Sequence, residues 1–286
     1  MRRRDIVPTA VVTGTTHGIG TVTAHRVAAA GYRLIMLVRD QRRAETLATA
    51  ITETTGNNVI EVVRCDLSSI DSVNTAVAEV RRRANNIHLL INNAGIVTRR
   101  RTMSADGIEL MFATNHLGPF VLTTGLLSNL ESAGNSRVVN VASAAYRSGS
   151  SDFESALDTS GATGLQGYAT SKLANILFTL ALHRRTRGTG IATNCLHPGV
   201  VATNLGSDNR LFRWGMKLGS ALRIMSSPER GAENTVQLAL AAKYAEASGG
   251  YYDQNMRCVA VSATALDEEL QDRLWRFSEQ LAERSV

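Results

Sequence analysis

Apolar blocks of four to seven residues alternate with longer amphipathic stretches from the start of the chain almost to its end. The short blocks, at 9–13, 33–38, 59–64, 89–92, 136–141, 191–197 and 250–252, are apolar on both faces, which predicts strands. Between them, helical periodicity predicts helices over 19–30, 42–54, 70–85, 106–130, 168–187, 231–244 and 267–282. Strands buried on both faces and separated by helices belong in a parallel sheet covered on each side. No repeat, low-complexity tract or linker interrupts the alternation. The expectation is a single doubly wound α/β domain over 1–286, with a mainly parallel seven-stranded sheet and helices on both faces.

Composition changes this picture little. Hydrophobic residues make up 44% and charged residues 20%, ordinary for a soluble globular protein. The net charge of +6 is concentrated in three arginine triplets, Arg2-Arg3-Arg4, Arg81-Arg82-Arg83 and Arg99-Arg100-Arg101. These are far apart and lack interleaved aromatic readers, so they are read as solvated faces and not as a nucleic-acid surface. Cys65, Cys195 and Cys258 are widely separated and form no metal-ligand or disulfide pattern. No metal is expected. Without a signal-peptide core or a membrane-length apolar run, the expected location is the cytoplasm.

The candidate chemistry lies where strands end. The first strand-to-helix turn reads Thr13-Gly14-Thr15-Thr16-His17-Gly18-Ile19-Gly20. Its glycines permit a tight turn and bring backbone amides to a phosphate at a helix N-terminus. The spacing is Gly-x-x-x-Gly-x-Gly, which departs from the common dinucleotide fingerprint, and a plain tight bend is the alternative. The second strand ends in Val38-Arg39-Asp40, with Arg42 and Arg43 following. An acidic residue there would hold ribose hydroxyls, whereas an arginine accepts a 2′-phosphate, so NADP is favoured over NAD. A bare strand-end arginine is the other reading. Asp66-Leu67 after the third strand and Asn92-Asn93-Ala94-Gly95 after the fourth would line the same groove.

One further stretch carries a proton-transfer signature. Tyr168 and Lys172, four apart on a predicted helix, share a face, and an ammonium near a phenol favours the phenolate; taken alone, the two read as a surface helix pair. With the glycine turn, Asp66, Asn92–Gly95, Asn115, Ser143, Tyr168/Lys172 and Pro198-Gly199 in order, the sequence resembles the short-chain dehydrogenase/reductase family across nearly all its length. Asn115-His116-Leu117-Gly118-Pro119-Phe120 and the 25-position gap from Ser143 to Tyr168 make it most similar to the retinol-dehydrogenase-like branch.

The resemblance implies a Rossmann-type fold and a catalytic set of Asn115, Ser143, Tyr168 and Lys172. Tyr168 would be the acid/base. Lys172 would lower its pKa and bond the nicotinamide ribose, Ser143 would orient the substrate oxygen, and Asn115 would hold a water joining Lys172 to solvent. Cofactor contacts are expected from Gly14, Thr16, His17, Gly18, Ile19, Gly20, Arg39, Asp66, Leu67, Asn93, Ala94, Gly95, Tyr168, Lys172, Pro198, Gly199, Val201 and Thr203. Taken singly, Ser143 could be only a small strand-end residue and Asn115 a helix kink. The side chains of His17, His116 and His197 are read as structural, since nothing pairs them with a base, an acid or a metal.

The segment 204–227 mixes Phe212, Trp214, Leu218 and Leu222 with Arg210, Arg213, Lys217 and Arg223. It is expected to cover a lipophilic or aromatic substrate; peripheral lipid contact and a packed surface helix are the alternatives. Leu173, Ile176, Leu177 and Leu180 form an apolar stripe, compatible with a homodimer or homotetramer and equally with a core face. The function expected is NADP-dependent alcohol dehydrogenase or carbonyl reductase activity on a small molecule. Two other readings stand beside it: a catalytically silent NADP-binding redox sensor or interaction protein, and a light-dependent tetrapyrrole reductase.

Overall fold

The computed structural model describes residues 7–158, 164–199 and 227–284. Seven strands form one all-parallel sheet: β1 Thr9–Thr13, β2 Arg33–Val38, β3 Ile60–Arg64, β4 Leu89–Asn92, β5 Ser136–Val141, β6 Ile191–Leu196 and β7 Tyr251–Tyr252. Their order is β3-β2-β1-β4-β5-β6-β7. Direction of growth reverses between β1 and β4, which opens a crevice at the carboxyl ends of those strands.

Side-chain alternation divides the core into two layers. Val11, Ile35, Leu37, Leu90 and Val138 face one layer, whereas Val12, Leu34, Met36, Ile91 and Val139 face the other. The inner strands therefore bury both faces, as their uninterrupted apolar blocks require, while the edge strand β3 is only partly covered. Helices α1 Gly18–Ala29, α2 Gln41–Thr55 and Pro228–Leu240 cover the second layer. Helix α3 Ile70–Arg83, the residues between 108 and 130, and the tyrosine helix Leu165–Arg185 cover the first.

Local signals explain the element ends. Asp40 caps α2 by accepting from the Arg43 amide at 3.1 Å, and Gly56 closes it at φ 72°. Ser69 caps α3, whose last turn holds Arg81, Arg82 and Arg83 against the negative end of the helix dipole. Arg82 and Arg83 also pair with Glu79, and Arg83 with Glu61, so two members of this triplet are engaged locally.

One sequence expectation about an element needs correction. The predicted helix over 106–130 is broken into Leu110–Phe112, a π turn at Ala113–Leu117, then Gly118–Gly125 and Leu127–Ser132. Pro119 has no N–H to give the Asn115 carbonyl four residues earlier, so an α-helix cannot run unbroken through this point. Gly118 permits the chain to press on the Leu67 backbone; a Cβ there would lie 2.8 Å from Leu67 Cβ. Of the two readings the sequence left open for the stripe on the tyrosine helix, the core face is the one observed. Leu173, Ile176 and Leu177 are buried within this chain, and helix Glu268–Glu283 packs over the same helix. These three side chains present no free face to a second copy. Asn204–Ser227 lies almost wholly outside the described residues; Ser227 itself caps helix Pro228–Leu240.

Candidate active site

The glycine turn connects β1 to α1, and α1 begins at Gly18 with His17 in the cap position. His17 makes no side-chain cap bond to this helix and there is no acidic residue in its first turn, so its leading amides remain available to an anion. The turn is laced to the loop after β4. Thr13 Oγ1 accepts from the Asn93 and Ala94 amides, both at 3.0 Å, and Asn93 Nδ2 donates to the Thr13 and Gly14 carbonyls at 3.0 and 3.2 Å. Thr13 is thus a site-building residue that the sequence reading left out of the cofactor set. A Cβ on Gly14 would sit 2.8 Å from Ala94 Cα, and one on Gly20 would strike the Gly14 carbonyl. Glycine is demanded here by the crossing of two loops as well as by any ligand.

A methyl placed on Gly95 would lie 3.4 Å from both Asn115 Oδ1 and Lys172 Nζ. The missing side chain leaves a shallow cradle above the lysine. The uncapped α1 N-terminus would hold the phosphates of a dinucleotide cofactor, and the space at Gly95 beside Lys172 would admit its nicotinamide end.

At the end of β2 the adjacent charges divide their work. Asp40 is engaged at the N-terminus of α2. Arg39 and Arg43 lie close enough to His17 to help burial lower its pKa, against the opposing pull of Asp40. Thr16 Oγ1 and His17 Nδ1 are 3.0 Å apart. Asp66 accepts from the amide and hydroxyl of Ser68 at 3.0 and 2.7 Å, and Leu67 is a core residue.

The tyrosine helix brings together the remaining groups. Lys172 is buried, its Nζ donating to the Val141 carbonyl at 2.9 Å, and burial pushes its pKa down to about 8. Its Nζ lies 5.6 Å from the centre of the Tyr168 ring. Tyr168 itself is shifted upward by burial, an effect opposed by a hydrogen bond with Ser143. This corrects the expectation that Lys172 lowers the tyrosine's pKa. Desolvation dominates at the phenol, and the resolved lowering influence is Ser143. Ser143 follows β5 and caps the turn Ala144–Ser148. Gly149 lets that turn close on the tyrosine helix; a Cβ there would lie 2.6 Å from the Ala169 carbonyl.

Asn115 is committed differently from expectation. Its Nδ2 donates to the Ile96 carbonyl and to Ser171 Oγ, both at 3.0 Å, while Oδ1 accepts from the Ile96 amide at 2.8 Å. Ser171 Oγ in turn donates to the Tyr168 carbonyl at 2.7 Å. The side chain therefore clamps the loop after β4 to the first turns of the tyrosine helix, with one Oδ1 lone pair remaining for a water. Ser171 was missed because a helical serine gives no distinctive sequence signal. Gly199 follows β6 at φ 84°, its amide donating to His197 Nδ1 at 3.3 Å, and Pro198 precedes it. Val201 and Thr203 lie outside the described residues.

Comparison with known proteins agrees with this geometry. Residues 8–213 match the family model for short chain dehydrogenase. The chain is 35% identical to human (Homo sapiens) retinol dehydrogenase 13 over 280 residues, covering 96% of this chain and 84% of the relative. It is 36% identical to human retinol dehydrogenase 11 over 268 residues, covering 94% and 83%. An uncharacterized protein from Mycobacterium Paratuberculosis superposes with a TM-score of 0.78 at 31% identity, covering 96% of this chain and 93% of that one. The chain belongs to the short-chain dehydrogenase/reductase family of oxidoreductases, in its retinol-dehydrogenase-like branch.

Proposed function

We propose that this protein is an NADP-dependent carbonyl reductase or alcohol dehydrogenase acting on a lipophilic small molecule. The observation that carries the reading is the meeting of Tyr168, Ser143 and buried Lys172 beside the Gly95 cradle. When bound, the nicotinamide cofactor supplies or accepts the hydride. Tyr168 gives its proton to the carbonyl oxygen in reduction, or takes one from the alcohol in oxidation. Its raised pKa keeps the phenol protonated at neutral pH, which suits the donor role. Ser143, bonded to the phenol, orients the substrate oxygen toward that proton. Lys172 offers a buried amine to the ribose hydroxyls. Asn115 keeps the tyrosine helix in register through Ser171.

The preference for NADP rests on Asp40 being engaged in its helix cap while Arg39 and Arg43 put positive charge beside His17. A protein of Beutenbergia cavernae named for NAD(P)-dependent gluconate 5-dehydrogenase activity was solved with NADP, at 26% identity and TM-score 0.69 over 86% of this chain and 94% of that one. The names of the retinol dehydrogenase relatives support a lipophilic substrate. A panel of retinoid, aliphatic and aromatic aldehydes and alcohols, followed at about 340 nm with each cofactor, tests the reading. Turnover with NADPH and an apolar carbonyl is expected. Activity confined to NADH, or to sugars, contradicts it.

A further inference from the structure

His116, next to Asn115 on the π turn, is completely buried. Phe112, Phe120 and Phe178 surround it, with ring centroids at 5.0, 6.2 and 6.1 Å. In such a cage an apolar side chain would satisfy packing without bringing in two polar nitrogens. The imidazole instead places Nε2 2.9 Å from Ser278 Oγ on helix Glu268–Glu283. The Ser278 hydroxyl donates its single hydrogen to the Leu274 carbonyl at 2.9 Å, so toward His116 it accepts. The pair of bonds at Ser278 thus assigns the His116 proton to Nε2. A fully buried imidazole must be hydrogen-bonded to be tolerated, and the Nε2 bond to Ser278 supplies this across to a second helix.

The sequence neighbours 115 and 116 thus tie one π turn to two helices. Asn115 grips Ser171 on the tyrosine helix, and His116 grips Ser278 on the helix packed over it. Asn175, one turn beyond Ser171, adds a side-chain hydrogen bond to the imidazole from the tyrosine helix. A π turn is a local deviation that must be held by tertiary contacts, and displacing this one would carry Asn115 away from both Ile96 and Ser171.

We propose that His116 is a positioning residue whose Nε2–H bond to Ser278 fixes the π turn, so that helix Glu268–Glu283 holds Asn115, and through it Tyr168 and Lys172, in working geometry. The consequence for turnover rests on the oxidoreductase reading above; the holding of the turn does not. Both are tested on the full chain with four variants: His116→Phe, His116→Gln, Ser278→Ala and the double variant His116→Phe/Ser278→Ala. Gln can reproduce the Nε2 donor, whereas Phe fills the cage without it. Hydrogen exchange of the Ala113–Leu117 amides should accelerate about tenfold in His116→Phe and Ser278→Ala, with β1 unchanged. His116→Gln should stay near wild type, and the double variant should be no worse than His116→Phe alone. In NADPH oxidation with the best carbonyl of the panel, kcat should fall about tenfold with KM altered less than about twofold. Unchanged exchange, exchange raised equally throughout the sheet, additive single effects, or an unaltered kcat each overturns the proposal. A wild-type chain inactive on every carbonyl contradicts the oxidoreductase reading, and the exchange pattern alone then decides whether His116 holds the turn.

Discussion

Lys172 should cost the fold stability, and replacing it with methionine should return that stability in a pH-dependent way. The amine is 3% exposed and has one resolved acceptor, the Val141 carbonyl. Its pKa falls from an ordinary 10.5 to about 8 in the folded chain. Between those values the unfolded chain binds a proton that the folded chain does not, so wild-type stability rises with pH across that window. Below pH ~8 the full penalty applies, roughly 3 kcal/mol for a shift of this size at about 1.4 kcal/mol per unit. Lys172→Met removes the titrating group and leaves the Val141 carbonyl without its donor, a cost of about 1–3 kcal/mol that does not vary with pH. The stability of the variant relative to wild type should therefore fall by roughly 3 kcal/mol between pH ~7 and pH ~10.5. Urea denaturation of both proteins at half-unit pH steps reads this directly. Parallel pH curves would show that the lysine titrates normally, and would refute the claim that burial perturbs it.

Other substitutions probe separate parts of the account. Arg39→Ala should weaken NADPH binding about 10- to 100-fold and NADH binding less than twofold, read by nucleotide fluorescence quenching. Equal losses for the two cofactors would remove the 2′-phosphate assignment. Gly20→Ala drives a Cβ into the Gly14 carbonyl and should destabilise the chain by about 1–3 kcal/mol while abolishing cofactor binding. Trp275→Ala removes edge contacts with Phe120 at 5.0 Å and a guanidinium stack from Arg185 at 4.4 Å. It should cost roughly 3–5 kcal/mol of unfolding free energy by urea titration, without changing nucleotide affinity.

The sheet was legible in the sequence because parallel strands buried on both faces leave uninterrupted apolar blocks. The blocks at 9–13, 33–38, 89–92 and 136–141 coincide with β1, β2, β4 and β5. The helix over 106–130 was overrun because Met111, Phe112, Leu117 and Phe120 keep an apolar period through the π turn. The visible warning was Gly118-Pro119, whose missing amide breaks the ladder. In the candidate site, the spacing of Tyr168 and Lys172 drew attention to them, but their roles and that of Ser143 were legible only through the family resemblance. Their electrostatics were not, because desolvation depends on how completely Lys172 and Tyr168 are enclosed. Thr13, Ser171 and His116 escaped the catalytic or cofactor set for one shared reason. Each acts through a partner distant in sequence, Asn93, Asn115 or Ser278 respectively, and small polar residues or a buried imidazole reveal that only when the chain is folded.

The central claim is that Tyr168 moves the proton that accompanies hydride transfer. The most direct measurement is single-turnover oxidation of NADPH by an apolar aldehyde in the wild type and in Tyr168→Phe, with nucleotide affinity measured on the same samples. Loss of a positioned acid/base group should slow the step by about 10²–10⁴. NADPH affinity should stay within about twofold, because removing the hydroxyl leaves Lys172 and the glycine turn in place. A Tyr168→Phe variant that keeps more than about a tenth of the wild-type rate would contradict the account.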